Sequence, residues 1–110
     1  MREMVAGLSD GNSMEATYRA ELGTCVKSAH QAFAGLKVAV TGRHDHPHWA
    51  LVDGRLRDST PVRIRMEKVE ELKVLVEFIA GTGRSEENQD TVRRMKEEFE
   101  MVMPGEGTDP

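Results

Sequence analysis

Three of the four histidines in this 110-residue chain fall within five positions, His44, His46 and His48, in the stretch TGRHDHPHWALVDG (residues 41–54). Asp45 stands between the first two, Pro47 precedes the third, and Trp49, the only tryptophan, follows. On an extended strand alternate residues share a face, so the three imidazoles would project together. Imidazoles grouped in that way can bind zinc, nickel or copper, and Asp45 or His30 can add a further donor. Set on a loop by Gly42 and Pro47, the same residues form a solvated polar turn whose charge changes near neutrality. His44, His46, His48 and Asp45 are therefore the candidate metal ligands, and no other cofactor is expected.

The segment DHPHW, residues 45–49, resembles the His-His-Pro-x-aromatic turn of the pterin carbinolamine dehydratases, single α+β domains near this length. The likeness extends to residue 66 if VRIRM is taken as the strand that follows. It implies acid/base dehydration of a carbinolamine by the paired histidines. Here Asp45 takes the first place of the pair and His44 is displaced by one. The His-x-His-x-His spacing is also similar to that of the histidine-triad nucleotide hydrolases, which carry hydrophobic residues where Asp45 and Pro47 stand. GLKVAVTG (residues 35–42) resembles the opening strand of nucleotide-binding or phosphopeptide-binding α/β folds, but without GxGxxG or a Walker lysine.

A second set of residues with binding chemistry is basic. Arg63 and Arg65 alternate with Val62, Ile64 and Met66, and Arg55 and Arg57 flank Leu56. If these segments pair as strands, Arg55, Arg57, Arg63 and Arg65 line one face suited to phosphates or to an acidic partner. The formal net charge of −4 is unevenly spread. Residues 27–68 hold eight Lys/Arg against four Asp/Glu, and residues 69–110 hold five against eleven. Such segregation suggests two surfaces with different electrostatic partners. The acidic residues Glu86, Glu87, Asp90, Glu97, Glu98 and Glu100 could imitate a phosphate backbone. Only Trp49 and Tyr18 are placed to stack on bases.

The elements that must position these residues follow from periodicity. Asn12 and Glu15 have capping-box spacing and predict a helix start. Leu22, Cys25, Val26, Ala29, Phe33 and Leu36 make one apolar helical stripe, with Gly35 as its stop. LKVAVTG, HWALVDG and TPVRIRM read as strands, and Asp53-Gly54 predicts a hairpin turn. Trp49 is expected to face inward and the histidines outward. EKVEELKVLVEFIAG predicts a helix through Val69, Leu72, Val76 and Ile79, widened by Leu75 and Phe78 and ended by Gly81. Ser85, with Glu86 and Glu87 behind it, predicts a last helix with a narrow stripe of Val92, Met95, Phe99 and Val102. Its other side carries the spacing for Asp90–Arg94, Arg93–Glu97 and Lys96–Glu100 pairs.

The expected fold is thus α+β and two-layered. A long N-terminal helix packs on a three- or four-stranded antiparallel sheet, followed by two C-terminal helices, in the order α-β-β-β-α-α. Residues 12–103 are expected to form one domain, with residues 1–11 and 104–110 flexible. No apolar run reaches the roughly 18 residues of a membrane span, and residues 1–13 lack a signal peptide's apolar block. Cys25, the single cysteine, falls on the first helix's apolar stripe and points to a reducing compartment. The expected location is the cytoplasm, or the interior of a host cell.

The leading functional expectation is a non-enzymatic interaction or regulatory module, homodimeric, that binds a protein partner. Its surfaces are the basic sheet face and the Met-rich C-terminal helix, with Met95, Phe99, Met101, Val102 and Met103 at the interface. The alternatives are an RNA-binding module using the Arg-lined sheet, an acidic inhibitor of a nucleic-acid enzyme, and a histidine metal site or dehydratase-like enzyme.

Overall fold

A computed structural model describes residues 12–83 and 85–104. The segments expected to be flexible, 1–11 and all of 104–110 but Pro104, lie outside the described residues. Seven elements follow one another: β1 (Ser13–Tyr18), α1 (Leu22–Gly35), β2 (Ala39–Asp45), β3 (Trp49–Arg55), β4 (Pro61–Glu70), β5 (Lys73–Ala80) and α2 (Glu86–Val102). The strands form one sheet in the order β1-β5-β4-β3-β2, with every neighbouring pair antiparallel. The two-layer α+β architecture stands, but the expected α-β-β-β-α-α order with three or four strands does not. The chain runs β-α-β-β-β-β-α with five strands and two helices.

The first departure is at residues 13–18, where the expected helix start is a strand. Met14, Ala16 and Tyr18 alternate toward the helices, opposite Phe78, Val76 and Val74 of β5. Asn12 caps no helix. It is 5% exposed and closes the sheet's end, its Nδ2 donating to the carbonyls of Ala80 and Gly81, each at 3.1 Å. Helix α1 begins only at Leu22, behind Glu21, whose side chain makes no capping bond. The Asn-x-x-Glu spacing is compatible with either element, and the long-range pairing with β5 decides between them.

The second departure is the expected helix over residues 67–81, which is a hairpin. Val74, Val76, Phe78 and Ala80 have no exposed surface, while Leu75, Glu77 and Ile79 point to the opposite face. A strand with apolar residues on both faces matches a helical stripe as well as it matches a strand, so periodicity alone misassigns it. The reversal between β4 and β5 carries no Gly, Pro or Asn. Leu72 takes the left-handed conformation there, at φ 55°, and Lys68–Glu71 and Glu70–Lys73 ion pairs close the turn at 3.6 and 3.8 Å.

The third departure is at Asp53-Gly54, which lies within β3. The turn comes later, at Leu56–Thr60, where Ser59 sits at φ 73° and Asp58 Oδ1 accepts the Thr60 N–H at 3.0 Å. Gly54 is needed for a close approach. A Cβ there would overlap the Val38 side chain and the Ala39 carbonyl oxygen, with the Phe33 ring behind them.

Both helices cover the same face. Cys25, Ala29, Ala32 and Phe33 of α1, and Val92, Met95 and Phe99 of α2, share one core with Val52, Ile64, Met66, Val76 and Phe78. The Phe99 ring meets Phe78 edge-on at 5.3 Å and Tyr18 at 5.1 Å. Each such large side chain contributes roughly 1.5–3 kcal/mol by leaving water. At the expected helix start, Ser85 Oγ accepts the Asn88 N–H at 3.0 Å. Among the described residues no helix is long and apolar enough to cross a membrane.

Candidate interaction surface

With both helices on one side, the other side of the sheet is left without a covering layer among the described residues. Strand register places its side chains in rows. One row runs Glu15, Glu77, Arg65, Leu51, His44, from β1 across to β2. A second runs Ser13, Ile79, Arg63, Asp53, and a third Thr17, Leu75, Glu67, Trp49. Charged and apolar residues are thus interspersed on this face. Trp49, Leu51, Leu75 and Ile79 are half-buried among these longer polar neighbours.

Arg63 grips Asp53 with two bonds, Nε–Oδ1 at 2.6 Å and Nη2–Oδ2 at 3.2 Å. Arg65 lies directly across from Glu77, which faces Glu15 on its other side. Burial, and after it the charge of Glu15, push the Glu77 carboxyl above its ordinary range, with Arg65 and Arg63 pulling the other way. Glu77 thus lies between a like charge on β1 and an opposite charge on β4.

The four expected arginines do not share this face. Arg55, Arg63 and Arg65 belong to it, the first with Nη1 donating to the Ser59 carbonyl at 2.8 Å. Arg57 lies in the β3–β4 turn and lines a separate cavity on the helix side. The face is also less basic than expected, since Glu15, Asp53, Glu67 and Glu77 stand on it. Glu15 and Glu77 were not expected there because β1 and β5 carry helical patterns. Alternation in MEATY and KVLVEFIA was the available signal.

The histidines sit on the β2–β3 hairpin, all exposed. His44 faces the uncovered side opposite Leu51. The His46 ring stacks on Trp49, centroids 4.2 Å apart and planes 18° from parallel, and the His46 backbone N–H donates to the Trp49 carbonyl at 2.8 Å. Trp49 therefore faces the uncovered side, contrary to the inward placement expected of it. Asp45 is held by Arg43 Nε at 2.8 Å. A 370 Å³ cleft against the first turn of α1 takes in Asp45 and His46 but neither His44 nor His48. Among the described residues no group of three or more His, Cys, Asp or Glu is placed to hold a metal ion.

On α2, Met95 and Phe99 have no exposed surface and Met103 has 6%, so the chain's own core uses them. Val102 is half-buried, and Met101 is open at 75%. Of the acidic residues, Glu100 is held by the Tyr18 hydroxyl at 2.6 Å and by Lys96 at 2.9 Å, and Asp90 by Arg93 at 3.0 Å. Cys25 is fully buried, and burial pushes its thiol up to about 11. No protein-family model matches this chain, and the search of curated proteins found no match.

Proposed function

We propose that this chain is an interaction module that works by self-association through its uncovered sheet face. The observation that carries this reading is the zoning of charge across one row. Glu15 and Glu77 lie on β1 and β5, and Arg65 lies beside them on β4. A two-fold axis along the strands between β4 and β5 sets Glu77 of each copy over Arg65 of the other. The same operation sets Ile79 over Arg63, Leu75 over Glu67 and Leu51 over Glu15, so each apolar side chain meets the stem of a charged one. The four strands that this axis superposes, β1, β5, β4 and β3, lie about 4.8 Å apart and run about seven residues, spanning roughly 450 Å². Two such faces bury about 900 Å², just below the size expected of a specific interface and in the range of a weak one.

The acids on the face count against a phosphate backbone as its partner, which favours protein over RNA. The single buried cysteine, Cys25, supports the cytoplasm as the proposed location.

Sedimentation velocity of R65E and E77R variants tests this reading. Each alone opposes like charges across the interface and should shift the dimer toward monomer. An equimolar mixture should restore association, because each variant then meets its opposite. Within each chain the new repulsion persists in the mixture, so recovery reports contact between copies. A wild-type monomer at millimolar concentration, or a mixture no better than its components, would overturn the reading.

A further inference from the structure

On the helix side of the sheet, where α1 ends, the β3–β4 turn and the second turn of α2 close around a cavity of 490 Å³. Three cations from three separate elements line it: Lys37 after α1, Arg57 in the turn and Arg94 on α2. None of them has an acidic partner within 4 Å among the described residues, where the ion pairs are made by other cations. The one acid in the lining is Asp58, and its Oδ1 is already occupied by the Thr60 N–H. Leu36 and Leu56, both half-buried, supply an apolar floor.

Cations at the end of a helix often serve to satisfy its last carbonyls. That need is met here by the backbone. The N–H groups of Leu36, Lys37 and Val38 bond the carbonyls of Ala32, Ala34 and Phe33 at 3.0, 3.1 and 2.9 Å. Lys37 also stands at φ 61°, where glycine is the residue of least cost. Lys37 thus lines the cavity beside two arginines without being needed by the helix end.

From this convergence we infer that the cavity binds a small organic phosphate, its phosphoryl group held by Lys37, Arg57 and Arg94 and its organic part resting on Leu36 and Leu56. Two guanidiniums supply paired N–H donors for phosphate oxygens, and the ammonium adds a point charge. The surroundings limit the ligand's length. Asp58 is in the lining and the Glu98 carboxylate rests against Gly35 nearby, so a long polyanion would meet repulsion at both. This site is on the opposite side of the sheet from the self-association face and stands or falls independently of it.

Amide NMR of the full chain, titrated with phenyl phosphate, inorganic phosphate and phenol, tests the inference. Phenyl phosphate should give saturable shifts at residues 36–37, 56–58 and 91–94. Inorganic phosphate should bind the same residues more weakly, and phenol should leave them unmoved. Arg57→Gln and Arg94→Gln should each weaken phenyl phosphate about tenfold, the value of one charge-assisted pair. Lys37→Gly should weaken it while leaving the unfolding temperature equal or higher, which separates binding from folding. Glu98→Gln should tighten it. Absence of saturation, or affinity unchanged in both arginine variants, would overturn the site. So would an equal loss on changing Arg43, which lies outside it.

Discussion

The Tyr18 hydroxyl donates to Glu100 Oε2 at 2.6 Å, tying the edge strand β1 to the last turns of α2. Burial first, and Glu100 second, lift the phenol's pKa well above its ordinary value, so it donates at all physiological pH. For Glu100, burial raises the carboxyl, but the Tyr18 and Lys96 hydrogen bonds outweigh it and the net direction is downward. A carboxylate depressed in the fold stabilises above its unfolded pKa and loses that contribution as pH falls through the folded one. Tyr18→Phe should therefore cost about 1–2 kcal/mol at neutral pH and flatten the acid limb of stability. Thermal unfolding across pH 2–7 (the approximate carboxylate range) checks both.

Glu77 should behave in the opposite sense. Its carboxyl is raised in the fold, so the folded state holds its proton more tightly than the unfolded chain does. Stability then increases as pH falls toward the unfolded carboxylate range. Glu77→Gln should raise the stability of the monomer at neutral pH and remove that increase. If self-association needs Glu77, the same variant weakens the dimer. Chemical denaturation at low protein concentration, paired with sedimentation at high concentration, separates the two effects.

Glycine substitutions should divide by what surrounds them. Gly54→Ala drives a methyl into Val38, the Ala39 carbonyl and Phe33, and should cost about 2–3 kcal/mol. Gly23, in the first turn of α1, has open space around it, and Gly23→Ala should add about 0.5–1 kcal/mol through helix propensity. Urea midpoints for the pair measure this directly. Equal effects at the two positions would contradict the packing described.

Leu72 is 44% exposed and held at φ 55° in the β4–β5 turn. Leu72→Asn replaces it with a residue that tolerates the left-handed region and gives up little burial. The variant should gain about 0.5–1 kcal/mol.

That leucine also marks where the sequence ceased to be legible. A hairpin without Gly, Pro or Asn offers no turn signal, so LKVLVEFIA, apolar on both faces, reads as a helix. The elements whose signals are local were readable: the Gly35 stop, the Ser85 cap, the Val92–Met95–Phe99 stripe and the Lys96–Glu100 pair. Strand β1 was not, because Asn12 and Glu15 carry a helix signature and its pairing partner is more than fifty residues away. The uncovered face was half legible for the same reason. Arg63 and Arg65 lie on β4, which alternates cleanly, while Glu15 and Glu77 lie on the two strands whose pattern reads as helix. Asp53-Gly54 has the composition of a turn, yet the glycine answers to the packing of Phe33 and Val38.

The placement of β1 and β2 at opposite edges carries a consequence for how the molecule is made. Strands β2 to β5 are joined by short turns and can zip up as each emerges. Strand β1 precedes them in the chain, yet its seat on β5 exists only after β5 is complete. Until then it waits unpaired, and so does the edge of β5 that will receive it. A neighbouring chain's β1 fits that edge as well as its own does, so crowded refolding should yield strand-exchanged dimers that dilute refolding avoids.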